Sequence, residues 1–134
     1  LNAVIKIPPA PSPEALDHFS KQLSYETDCW DVQDALQSGT PGFTLLDVRG
    51  EASYRKSHIP SSINLPHRHI TEEILLNYPT DTLFVVYCAG PHCNGATKAA
   101  VRLAQLGRPV KLMIGGLTGW QTEGFPLNTL PLDS

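Results

Sequence analysis

The 134-residue chain has no surplus of positive charge, no long apolar run and few cysteines, and each shortage removes a class of function. Its formal net charge of −3 leaves no excess of Lys and Arg to neutralise a phosphate backbone, so nucleic acid is not expected as a partner. The longest apolar run, Leu83 to Tyr87 with its flanks, falls far short of the roughly 20 residues that span a bilayer, so no membrane span is expected. Leu1 to Ala10 lacks the basic start, long apolar stretch and small-residue cleavage site of a secretory leader; the Leu at position 1, in place of Met, leaves earlier trimming open. Three cysteines, Cys29, Cys88 and Cys93, are an odd set in a chain large enough to fold without covalent staples, which fits a reducing cytoplasm. A transient Cys88–Cys93 bond stays open.

The residues that are present suit one folded domain. Hydrophobic residues make up 41% and charged residues 17%, enough apolar matter for a packed interior in a chain too short for two ordinary domains. Pro8, Pro9, Pro11 and Pro13 favour extended backbone, so residues 1–12 read as a Pro-rich arm and 13–134 as the domain. Ala15, Leu16, Phe19 and Leu23 share one face of a helix over 14–23. Thr27 or Asp28 can cap a second helix carrying Trp30, Val32, Ala35 and Leu36, stopped by Gly39 and Pro41. Phe43–Val48 reads as a buried strand, Gly50–Lys56 as one or two helical turns, Ile63–Leu65 as a second strand, and Thr71 as the cap of a helix to Asn77. The clearest unit runs from strand Leu83–Tyr87 through a loop, Cys88–Asn94, to a helix over 95–106 that Gly107 stops. Val110–Ile114 is another strand, and a short helix over 117–123 closes the chain. Strands alternating with helices imply an α/β domain with a mostly parallel sheet covered on both faces.

In such sheets ligands gather beyond the carboxyl ends of the strands, where Cys88 stands. A buried cysteine is commonly just a small hydrophobe. The loop after Cys88 favours function: Ala89-Gly90-Pro91-His92-Cys93-Asn94-Gly95 can curl so that backbone N–H groups point inward at the start of a helix. A ring of donors at a helix N-terminus stabilises negative charge, so Cys88 is expected to be a thiolate near neutral pH.

Four stretches, in order, resemble the rhodanese-like sulfurtransferases: Leu45-Leu46-Asp47-Val48-Arg49, His58-Ile59-Pro60-Ser61-Ser62-Ile63-Asn64-Leu65-Pro66, Val85-Val86-Tyr87-Cys88, and Gly115-Gly116 with Trp120, Gly124 and Pro126. The resemblance covers about 27–126. It implies a three-layer fold with a five-stranded, mostly parallel sheet, and a cycle in which Cys88 takes the outer sulfur of a donor such as thiosulfate as a persulfide and passes it to a thiol or another nucleophile. Small-molecule donor and acceptor, or a protein acceptor, are the implied partners, with no cofactor. The loop, Ala89, Gly90, His92, Cys93, Asn94 and Gly95, would bind the donor.

Many active members carry an Arg five residues after the cysteine; here that position is Cys93, and counting back from the helix gives Gly95, so neither register supplies a guanidinium. Thiosulfate is then expected to be a poorer donor than a low-molecular-weight persulfide or a protein. Thr97 and Lys98 are candidates for a supporting role, as are Asp47, Arg49 and His58, although charged groups at strand ends commonly pair and fix loops. For Cys93, resolving a Cys88 sulfenate or persulfide into a disulfide and simply packing in the longer loop weigh evenly. Cys29 and Trp120 are expected to pack, and His67-Arg68-His69, without further ligands, reads as an exposed loop with no metal. Two rival readings remain: a phosphatase- or arsenate-reductase-like enzyme, against which the missing Arg tells, and a non-catalytic module that binds or senses reactive sulfur.

Overall fold

The computed structural model describes residues 2–131; Leu1 of the expected arm and residues 132–134 of the expected domain lie outside the described residues. Five strands, β1 (Glu26–Thr27), β2 (Thr44–Asp47), β3 (Ile63–Asn64), β4 (Phe84–Tyr87) and β5 (Val110–Met113), form one sheet in the order β1-β5-β4-β2-β3 with every ladder parallel. The α/β class and the five-stranded sheet expected from sequence are therefore found. Beyond the sheet, His58 and Asn128 form an isolated antiparallel bridge that ties the carboxyl-terminal segment back to the domain.

Alternation along the strands divides the core into two layers. Leu46, Val48, Phe84, Val86 and Cys88 turn to one face and pack under α5 (Glu72–Leu75) and α6 (Gly95–Gln105), through Leu75, Ala96, Ala99 and Leu103. Leu45, Val85 and Tyr87 turn to the other, under α3 (Cys29–Gln37) and α7 (Gly116–Thr122), through Cys29, Val32, Leu117 and Trp120. Both faces of β4 are covered, so all four of its residues are buried, and each large apolar side chain withdrawn from water contributes about 1.5–3 kcal/mol. The helix starts follow from their caps: Asp28 accepts the Asp31 N–H at 2.8 Å to open α3, and Thr71 accepts the Ile74 N–H at 3.2 Å to open α5. Between them α4 (Glu51–Lys56) fills the predicted helical turns after β2.

Three local readings need correction. The arm holds a single helical turn, α1 (Ala3–Lys6), because the Asn2 side chain accepts from the Val4 and Ile5 amides ahead of the prolines. The next helix is longer than expected, α2 (Ser12–Tyr25), and buries none of its residues: Leu16, Phe19 and Leu23 are 70%, 60% and 73% exposed. Both faces of the sheet are already occupied by other helices, so α2 is left beside the β1–β5 edge. His67–His69, expected as an exposed loop, forms a 3-10 turn held by the His69 amide on Pro66 O, 2.8 Å, with Arg68 and His69 exposed as expected. No helix among the described residues is long and apolar enough to cross a membrane.

Candidate functional site

Cys88 follows the last residue of β4, and the strand's alternation sends its side chain to the α6 face, where it is 6% exposed. There its sulfur meets the first residue of α6. A Cβ on Gly95 would lie 2.8 Å from Cys88 Sγ and 3.4 Å from Cys93 Sγ, so only glycine leaves room for the two sulfurs. The first α6 bond runs from the Lys98 N–H to Asn94 O, 3.0 Å, and the Asn94 side chain caps nothing. The amides of Gly95, Ala96 and Thr97 thus precede any intrahelical acceptor, and the helix presents its positive end to the sulfur.

The start of the loop is clasped from the opposite side by α7. Cys88 O accepts the Leu117 N–H at 3.0 Å, and Ala89 O accepts both the Thr118 N–H and the Thr118 hydroxyl at 2.9 Å. In a trans peptide the N–H points opposite the C=O, so these bonds turn the amides of Ala89 and Gly90 away from α7. The approach is close enough to demand glycine at 116, where φ is +59° and a Cβ would lie 2.6 Å from Cys88 O. A further bond, Cys93 N–H to Gly90 O at 3.1 Å, folds the loop back on itself. That return brings Cys93 to Cys88, and the two are joined as a disulfide with a Cα–Cα separation of 6.4 Å. Cys88 is buried; Cys93, its partner, is exposed.

Two clefts flank the pair. One, of about 290 Å³, is lined by Arg49, Ser53, His67 and Arg68 together with Cys88 and Gly95. The other, of about 270 Å³, is lined by Gly90, Pro91, Thr97 and Ile114 with the two cysteines. A larger groove of about 510 Å³ lies between α2 and the β1–β5 edge, with Phe19, Leu23 and Lys111 in its walls, and does not reach either of these sulfurs.

The other sequence-predicted residues divide sharply. Ala89, Gly90, Cys93, Asn94 and Gly95 line one or both clefts, and Thr97 lines the second; His92 is exposed at the loop tip and Lys98 on α6, and neither is among the lining residues. Arg102, a cation one turn beyond Lys98 on α6, is tied to the Ile70 carbonyl at 3.0 Å and so is not left free for a sulfur donor. Asp47 is fully buried on the far face of the sheet from Cys88, where Arg49 grips it through Nε at 3.0 Å and Nη2 at 2.6 Å. Burial alone would lower the Arg49 pKa, but the hydrogen bond and attraction of Asp47 outweigh it and hold it above its ordinary value. The Tyr87 hydroxyl donates to Asp47 Oδ2 at 2.7 Å and accepts the Ile59 N–H at 3.1 Å, and it also contacts Ser62 Oγ. Burial, then the Asp47 charge, raises the phenol far above its ordinary range, so it stays a donor. His58 stacks on Tyr54 and its Nδ1 reaches Tyr54 O at 2.8 Å. Asp47 and His58 thus knit loops together, and Arg49 does so while also forming cleft wall.

Cys29 packs as expected: burial first, then Asp28 and Glu123, pushes its pKa up to about 11, leaving a neutral thiol. Trp120 is buried and donates from Nε1 to Pro126 O at 2.8 Å. The sequence reading missed His67 and Arg68 as neighbours of the cysteines. The available signal was topological: they follow β3, so they lie beyond a strand's carboxyl end, the edge that also carries Cys88.

A parallel five-stranded sheet with a cysteine loop between its central strand and a helix is the architecture of a rhodanese-like domain, and the profile of that family, "Rhodanese-like domain", matches residues 31–123. The chain belongs to this family. It is 32% identical over 87 residues to the adenylyltransferase and sulfurtransferase uba4 of Ogataea parapolymorpha, a match that takes in 62% of this chain and 22% of that protein. The crystal structure of the BH2092 protein from Bacillus halodurans superposes with a TM-score of 0.86 at 39% identity, covering 89% of this chain and 87% of that one. Thiosulfate sulfurtransferase from Pseudomonas aeruginosa shares the fold, with a TM-score of 0.66 at 22% identity over 82% of this chain and 21% of that one. The chain thus spans about a fifth of the curated relative it matches, with homology to sulfurtransferase domains.

Proposed function

We propose that this domain is a sulfurtransferase that carries sulfane sulfur on Cys88. The observation that supports this most is the seating of the Cys88 sulfur against Gly95, at the amide end of α6. Once a thiol opens the bond to Cys93, that positive end favours the anionic forms of sulfur, both the thiolate and the persulfide. The thiolate attacks the outer sulfur of thiosulfate, the donor's S–S bond breaks, and sulfite leaves with the electron pair; a persulfide donor reacts alike and releases its thiolate. An acceptor thiolate then takes the outer sulfur and returns Cys88 to its starting state. No side-chain base and no cofactor enters the cycle. Ala89, Gly90, Asn94 and Gly95 supply backbone donors, with Thr97 at the rim. Arg68, in the first cleft beside His67, provides the cation that the loop itself lacks.

A reducing compartment, the cytoplasm, suits a cysteine pair that must open before it works. The sulfurtransferase named in the curated relative supports sulfur transfer as the reaction, and a small thiol or a protein nucleophile is the acceptor class this chemistry takes. Intact-mass analysis tests the reading on pre-reduced protein treated with thiosulfate or glutathione persulfide. Cys93→Ser, in which the disulfide cannot close, gains about 32 Da, one sulfur atom, and Cys88→Ser gains none. A gain that persists in Cys88→Ser overturns the assignment.

A further inference from the structure

Resting on that reading, we infer that Cys93 is the domain's own resolving thiol, which turns a Cys88 persulfide into free sulfide and makes the protein a sulfide-releasing enzyme coupled to a dithiol reductant. The two cysteines are already bonded across a loop whose Cα–Cα separation, 6.4 Å, lies inside the range that disulfides span without backbone movement. Gly95 leaves space for both sulfurs at once, at 2.8 Å and 3.4 Å from its would-be Cβ. Cys93 is therefore placed to reach Cys88 Sγ, the inner sulfur of a persulfide.

The step balances without an outside oxidant. Cys93 thiolate attacks Cys88 Sγ; the new Cys88–Cys93 bond forms, the bond from Cys88 Sγ to the outer sulfur breaks, and hydrosulfide leaves. Two thiol sulfurs are oxidised to a disulfide as the sulfane sulfur is reduced by two electrons. Turnover requires a dithiol to reopen the pair, and the burial pattern directs that attack. Cys93 is exposed and Cys88 is buried, so the reductant meets Cys93 Sγ and expels Cys88. The leaving thiolate sits at the positive end of α6, where its charge is stabilised, so the nucleophile is regenerated in place.

The experiment is a single turnover with the reduced, desalted protein under anaerobic conditions, using thiosulfate or an aromatic thiosulfonate, donors that leave sulfite or sulfinate and no thiol. Sulfide is measured colorimetrically and the protein by intact mass. Wild type is expected to release about one sulfide per chain and to end two hydrogens lighter than its reduced form, as the disulfide. Cys93→Ser is expected to keep the added sulfur and release sulfide only when a thiol is supplied. Wild type that retains its added sulfur as Cys93→Ser does overturns the inference and leaves the Cys88 reading intact. Uptake of sulfur by neither protein is a separate signature, which overturns the Cys88 reading and this inference with it.

Discussion

Gly95→Ala isolates the contact on which the site depends. The added methyl would lie 2.8 Å from Cys88 Sγ, whereas ordinary contact begins at 3.4 Å. The sulfur or the first turn of α6 must then give way by about 0.6 Å, the difference between these two distances. The fold itself should tolerate the change. Alanine is favoured over glycine inside a helix by about 1 kcal/mol, which offsets part of an overpacking cost of about 1–3 kcal/mol. Global stability therefore changes by less than about 2 kcal/mol, against the roughly 5–15 kcal/mol of an ordinary domain. Reactivity has no such compensation, because an ångström-scale misplacement of a nucleophile costs on the order of 100-fold in rate. The assay is the time course of persulfide formation from thiosulfate by intact mass, with and without Gly95→Ala in the Cys93→Ser background, beside a urea unfolding curve for the same variant. Persulfide formation slowed about 10- to 100-fold in a protein that still unfolds cooperatively is expected. Loading at the rate of Cys93→Ser alone would refute the claim that the sulfur works from its seat against α6.

Three further predictions concern the surroundings. Tyr87→Phe deprives Asp47 of a donor and leaves the Ile59 amide without its acceptor, so stability should fall by about 2–3 kcal/mol in chemical denaturation, with sulfur loading per folded molecule unchanged because the hydroxyl lies across the sheet from Cys88. Cys29, raised from 9.0 to about 11, keeps its proton in the native state where the unfolded chain loses it; stability therefore falls as pH rises between these values. Its alkylation at pH 8, followed by peptide mass spectrometry, should run about 100-fold slower in native than in denatured protein. Arg68→Ala should raise KM for thiosulfate about fivefold with little change in kcat, as expected for losing about 1 kcal/mol from an exposed cation; an unchanged KM would remove Arg68 from the donor site.

Parts of the fold were legible because burial writes a simple pattern. Phe84–Tyr87 is wholly apolar or aromatic since both faces of β4 are covered, and the glycine-rich loop after it places Cys88 where a parallel sheet opens to ligands. The caps Asp28 and Thr71 and the stop at Gly107 are local, so they too can be read directly. Strand β1 escaped because Glu26 and Thr27 pair only with β5, at an edge, and two polar residues have no period. The face of α2 misled in the opposite sense: its spacing is amphipathic, yet the sheet has no free surface to receive it. Long-range partners were invisible for a third reason. Tyr87 meets Asp47 across 40 positions of sequence, and Arg68 reaches the Cys88 cleft only because β3 lies next to β2 in the sheet. The odd cysteine count spoke against a disulfide framework, but spacing left the role of Cys93 open, and the returning turn from Gly90 to Cys93 brings it to Cys88.

The most direct measurement tracks one atom. Reduced Cys93→Ser protein, which cannot close the disulfide, is exposed to thiosulfate labelled in its outer sulfur, then trapped with a thiol-alkylating reagent, digested and mapped. The account requires the label on the peptide containing Cys88, and its transfer from there to an added thiol. Label found on Cys29, or bound label that no thiol removes, would contradict it.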